Sequence, residues 1–167
     1  MKGPQFEQAV ETQLTRLLEA GGLTEIERTP RLALSNGQVR IPDFVVALDL
    51  GPAHLQIAIE CQDRARSTRS DLIEKILYIR DHSPIKCFVI VVAAAVTNSL
   101  ELECTRLGIP IQRYAEFRSS IDRYLEGARS NPLGVHSGQA DDAKREDQAS
   151  RSTSCAAMVF GLRDRTA

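Results

Sequence analysis

Two runs of alternating residues, Ile41 to Leu50 and Leu55 to Gln62, flank Gly51-Pro52-Ala53-His54, and they constrain this chain more than any other stretch. In the first run Phe44, Val46, Leu48 and Leu50 fall on one side of an extended backbone, and Asp43, Val45, Ala47 and Asp49 on the other. In the second, Leu55, Ile57, Ile59 and Cys61 alternate with Gln56, Ala58, Glu60 and Gln62. A period of two with one apolar side marks strands with a well-buried face. Gly-Pro breaks the extended backbone between them, so the pair reads as a β-hairpin.

The apolar faces restrict the register, because a slip of one residue would turn polar groups into the core. Pairing Phe44 with Ile59 satisfies this and sets Asp43 opposite Glu60. A longer turn would shift the pairing by two, to Asp43 opposite Gln62, with the faces still in agreement. In either register two carboxylates and a carboxamide gather at the open end of the hairpin. Neighbouring carboxylates repel unless a proton or a cation lies between them, and an oxygen-rich set of this kind suits Mg²⁺ or Mn²⁺.

The elements around the hairpin follow from periodicity and punctuation. Gln5 to Ala20 reads as a helix, with Phe6, Val10, Leu14, Leu17 and Leu18 at helical spacing and Gly21-Gly22 as its stop. Leu23 to Leu34 holds a first strand, with Leu32 and Leu34 as its alternating pair, and Asn36-Gly37 is a turn signal. Gln38 to Leu50 and Leu55 to Gln62 are the next two strands. A second helix starts at Ser70 or Asp71, where Asp71 and Glu74 have capping-box spacing, and Ser83-Pro84 closes it. Lys86 to Ala93 contains the run Cys-Phe-Val-Ile-Val-Val, which fits a parallel strand covered on both faces. A helix from Asn98 to Gly108, an edge strand over Ile109 to Arg113 and a helix from Glu116 to Leu125 that stops at Gly127 complete an order α-β-β-β-α-β-α-β-α. From Ala128 onward Ser, Asp, Arg, Gln and Gly dominate, so residues 128–167 read as a disordered tail with one apolar island, Ala156 to Leu162.

At 167 residues and 43% hydrophobic content the chain can build one real core. A net charge of -1 excludes bulk polycationic attraction to nucleic acid, so any affinity for phosphate must come from a local patch. Arg64, Arg66 and Arg69, directly after the acidic strand, are the candidate patch. Cys61, Cys87, Cys104 and Cys155 show no CxxC spacing and are expected as free thiols of a cytoplasmic protein. No signal peptide is visible, and the longest apolar run, Cys87 to Val96, is too short to span a membrane. No zinc spacing, no Ser/His/Asp set and no glycine-rich phosphate loop stands out. His54 at the turn and His82 at a helix end are assigned no role.

Pro42-Asp43, with Glu60-Cys61-Gln62 seventeen positions on, resembles the motif of the PD-(D/E)xK nuclease superfamily, and the order of elements over residues 5 to 115 resembles its Mrr-like and resolvase-like branches. The resemblance implies an α/β protein of restriction-endonuclease-like fold over residues 1–127. That fold has an αβββαβ core and a mixed central sheet flanked by helices; here an extra C-terminal strand and helix would follow. It implies a metal-dependent DNA endonuclease that uses Mg²⁺ or Mn²⁺, held by Asp43, Glu60 and the backbone carbonyl of Cys61, with Glu7 of the first helix as a further ligand. A homodimer is expected of a nuclease that cuts both strands.

The chain departs from the motif at Gln62, which stands where the family has lysine. Glutamine keeps hydrogen-bonding capacity but carries no charge and is no base. In some members of the superfamily the lysine has moved to the following helix, which makes Lys75 the substitute here. Lys86 ranks below it, because it starts a parallel strand at the opposite end of the sheet. Two other readings remain open: a catalytically inactive nuclease-like module that binds DNA or regulates a partner, and an unrelated α/β sensor or assembly domain in which the acidic pair is surface.

Overall fold

The computed structural model describes residues 3–50, 53–63, 69–93, 96–130, 156–157 and 159–161. Helix α1, Gly3–Glu19, buries Phe6, Val10, Leu14 and Leu17 on one side. It ends at Gly21, whose φ of 72° is left-handed. There the amides of Gly21 and Gly22 return to the carbonyls of Leu18 and Leu17 at 3.0 and 2.8 Å, a glycine C-cap. Strand β1, Glu25–Arg28, follows. A short hairpin of β2, Leu32–Ala33, and β3, Val39–Arg40, leads into β4, Phe44–Leu50, and β5, Ala53–Gln62. Helix α2, Arg69–His82, crosses to β6, Cys87–Val92. Then come α3, Asn98–Leu107, β7, Ile111–Arg113, and α4, Tyr114–Ser130.

The five-stranded sheet has the order β1-β4-β5-β6-β7. β4 is antiparallel to β1 and β5, whereas β5, β6 and β7 run parallel. This is a mixed α/β architecture with helices on both faces. One face carries α1 and α4: Phe6, Val10, Leu14, Phe117 and Ile121 cover Phe44, Val46, Ile57 and Ile59. The other carries α2 and α3: Leu72, Ile73, Ile76, Ile79 and Cys104 cover Val45, Ala58, Phe88 and Ile90. β6 contributes to both faces, as its unbroken apolar run requires. Among the described residues no helix is long and apolar enough to cross a membrane.

Three elements differ from the sequence expectation. The strand expected over Gln38 to Leu50 is broken at 41–43, where Pro42 has no amide to give to a ladder. Its first part pairs instead with Leu32–Ala33 in a separate two-stranded sheet. The true first strand of the main sheet is therefore Glu25–Arg28, an edge strand whose single apolar residue gives no alternation to read. The last helix begins earlier, where the Glu116 carboxylate accepts the Arg113 amide at 3.3 Å, and it runs through Gly127 to Ser130. A Cβ at Gly127 would meet nothing within 4 Å. An exposed glycine within a helix costs about 1 kcal/mol and does not terminate it.

The tail also departs from expectation. The boundary at residue 127 falls inside α4, and the apolar island docks: Ala156, Val159 and Phe160 are buried in the core cluster of the α1–α4 face. The Phe160 and Phe117 rings lie 6.3 Å apart. Residues 131–155 lie outside the described residues.

Candidate active site

The β4–β5 register pairs Phe44 with Ile59 and closes at Leu50 and Ala53, so the turn has two residues. Of the two registers the sequence allows, this one continues to Asp43 opposite Glu60. Phe44 and Ile59 face α1, and so Asp43 and Glu60, one residue on in each strand, share the α2 face with Val45 and Ala58. The Asp43 Oδ2 accepts the backbone N–H of Cys61 at 2.6 Å, which fixes its carboxylate across the strand pair.

Glu60 is almost wholly buried, with its side chain 3% exposed, and Lys75 reaches it from α2: the Nζ donates to Oε2 at 2.8 Å. The other Glu60 oxygen, Oε1, is buried with no hydrogen-bond partner. Burial, aided by the nearby Asp43 charge, raises the Glu60 pKa to about 7 against the pull of the Lys75 ammonium. Burial also raises the Asp43 pKa, opposed by the Cys61 N–H and by Lys75. The site thus holds two carboxylates, one lysine and more buried acceptor capacity than its donors satisfy.

The remaining candidates separate. Gln62, half-buried, follows Glu60 by two and falls on the same face of β5, and its carbonyl accepts the Ala93 amide at 2.8 Å. Cys61 supplies its amide to Asp43, while its thiol packs with the cluster on the α1 face. Burial first, then the charges of Asp43, Glu60 and Glu7, push that thiol's pKa far up, which keeps it a neutral thiol. Glu7 is engaged elsewhere: Arg28 lies 3.7 Å from it and 3.0 Å from Glu11. No group of three or more His, Cys, Asp and Glu side chains able to hold a metal ion forms among the described residues. Lys86 donates to the Arg80 carbonyl, away from the acidic pair. Arg64 and Arg66 lie outside the described residues, as does the side chain of Arg69.

Sequence reasoning missed Arg28, whose only signal was its place beside a weak edge strand. It also missed the contacts of the β2–β3 hairpin with α2, for which Asn36-Gly37 was the lone pointer.

No protein-family model matches this chain, and no curated protein does. A solved structure, described as a protein of unknown function, AF1548, is similar to it with a TM-score of 0.50 and 14% sequence identity. The likeness covers 93% of this chain and 98% of that one. At that identity it speaks for a shared fold alone.

Proposed function

We propose that the chain is a metal-dependent nuclease that hydrolyses phosphodiester bonds in DNA, of the PD-(D/E)xK kind that its motif resembles. The observation that carries this reading is the convergence of Asp43, Glu60 and Lys75 at the open end of the hairpin. Three residues from three elements supply the two acidic groups and the cation of that motif, with the lysine brought by α2 instead of by position 62.

The donor set fits a divalent ion. Glu60 Oε1 is a buried acceptor without a partner, and burial raises the pKa of both carboxyls, a sign of negative charge in need of compensation. Asp43 and Glu60 would hold Mg²⁺ or Mn²⁺, as hard oxygen ligands do. When bound, such an ion supplies charge relief on the phosphoryl oxygens and a more acidic water. The Cys61 amide keeps the Asp43 carboxylate turned toward Glu60. Lys75 offers positive charge beside the scissile phosphate, the part that Gln62 cannot play, while the Gln62 amide can still donate a hydrogen bond.

The test is incubation of plasmid and labelled duplex DNA with the full chain and Mg²⁺ or Mn²⁺. Wild type should nick or cut. Asp43→Ala should abolish cleavage, and Lys75→Ala should slow it about a hundred- to a thousandfold, the usual cost of losing one transition-state donor. No cleavage with either ion overturns the reading. Salt-dependent DNA binding without cleavage would establish the inactive-module alternative, which the uncharged Gln62 favours.

A further inference from the structure

The β2–β3 hairpin is an insertion: the main sheet passes from β1 to β4 without it. Both its stems nevertheless lie beside the site. Thr29, just after β1, donates its N–H to the Asp43 backbone carbonyl at 2.8 Å, and β3 ends at Arg40, three residues before Asp43. The rest of the hairpin lies on α2. Leu34 is buried, and Leu32 packs against the core cluster to which Ile76 and Ile79 of the helix belong. The Ser35 N–H donates to the His82 carbonyl at 2.9 Å. The Asn36 amide donates to the Tyr78 hydroxyl. The Arg40 guanidinium stands 4.8 Å from the centre of the Tyr78 ring, and the His82 ring is a second neighbour, with centroids 4.7 Å apart.

Tyr78 follows Lys75 by three residues, so the two are neighbours along one side of α2. The hairpin therefore joins the two halves of the site: one stem continues into the strand of Asp43, and its tip grips the helix of Lys75. A lysine on a four-carbon stem reaches a buried carboxylate only if its helix is held at the right rotation and height.

We propose that the hairpin is a positioning brace, in which Arg40 and Asn36 fix Tyr78 and thereby hold α2 where Lys75 meets Glu60. Its effect on turnover rests on the nuclease reading; its effect on Lys75 does not.

The experiment uses the full chain with Arg40→Ala, Arg40→Lys and Tyr78→Phe, and Arg106→Ala as a surface control. Two readouts are taken: the acetylation rate of Lys75 with acetic anhydride, followed by mass spectrometry, and single-turnover DNA cleavage. Arg40→Ala and Tyr78→Phe should leave the circular dichroism spectrum unchanged and speed Lys75 acetylation severalfold, whereas the control should not. Arg40→Ala should slow cleavage about ten- to a hundredfold, as small misplacements of a catalytic group do, with KM for DNA close to wild type. Arg40→Lys, which restores a cation over the ring, should recover much of the loss. On a Lys75→Ala background Arg40→Ala should cost nothing more. Unchanged Lys75 acetylation in Arg40→Ala overturns the brace, and so does a rate loss that adds in full to that of Lys75→Ala. If wild type does not cleave at all, the nuclease reading fails, and the acetylation comparison still decides the brace.

Discussion

At the scale of the residue, Glu60 governs how the molecule responds to pH. A carboxyl whose pKa rises on folding, here from 4.5 to about 7, holds its proton more tightly in the folded state. Its favourable contribution is complete below about pH 4.5 and is lost as pH rises through about 7. Linkage over such an interval is worth on the order of 3 kcal/mol. The melting temperature should therefore fall between pH 5 and pH 8 at constant ionic strength. Glu60→Gln, which keeps an acceptor for Lys75 and removes the buried charge, should flatten that slope. A profile equally steep in both proteins would assign the pH response to other groups. Mg²⁺ at pH 8 should restore stability to wild type, since a ligand that binds only the folded state stabilises it, and should do little for Asp43→Asn. Lys75 also settles what to expect at position 62. Because the ammonium already sits on Glu60, Gln62→Lys should change cleavage by less than about tenfold, far less than Lys75→Ala; a large gain from Gln62→Lys would mean that Lys75 does not serve the reaction. The acidic pair was legible in the sequence because alternation sets Asp43 and Glu60 on one face in either register the turn allows; the structure chose between the two. The neutralisation of Glu60 was less so: whether Lys75 reaches Glu60 depends on how α2 is rotated on the sheet, which helical periodicity alone fixes only loosely.

At the scale of the element, the informative cases are those where tertiary contacts outweigh local pattern. The apolar island looks like an isolated cluster in a polar stretch, yet Ala156, Val159 and Phe160 are buried in the same core cluster as residues of α1 and α4. Phe160 is fully buried, so Phe160→Ala should cost about 3–5 kcal/mol and lower the melting temperature by roughly 10 °C. Truncation after Ser130 should do at least as much. A truncated chain that melts like the full one would show that the island adds nothing to the core. Composition could not reveal this docking, because the segment's partner surface is assembled from elements distant in sequence. The opposite holds for α3. Thr97 caps it, with the Leu100 amide at 3.4 Å from its hydroxyl, and Gly108 ends it at φ 66°. Both signals are local, and so its limits were readable. The strand split at Pro42 falls between these cases. The proline is a break signal that the expected strand Gln38 to Leu50 ran straight through, and nothing in the sequence announced that the chain before it would leave the sheet for α2.

At the scale of the whole molecule, alternation pointed to the antiparallel hairpin and the β6 run to a parallel strand covered on both faces, because each follows from burying apolar surface; the mixed sheet flanked by helices was what the resemblance implied. The pairing of β1 and the separate hairpin were not foreseen, since edge strands carry little apolar pattern. One consequence of the two-residue turn concerns the order of events in folding. β4 and β5 meet by closing the shortest loop in the sheet, whereas α2 docks only on a surface that already exists. On that route Asp43 and Glu60 come together before Lys75 is seated, so the barrier is crossed with two carboxylates side by side and no ammonium between them. Refolding should accordingly be faster at pH 5 than at pH 8 when followed by stopped flow. Lys75→Met should act mainly on the unfolding arm of the chevron, as a contact formed late does. A Lys75→Met variant that slows refolding as much as it destabilises the protein would place α2 in the nucleus instead. On that route a divalent cation able to sit between Asp43 and Glu60 would do for the nascent hairpin at neutral pH what the lysine does for the finished fold, and would speed folding as well as stabilise its product.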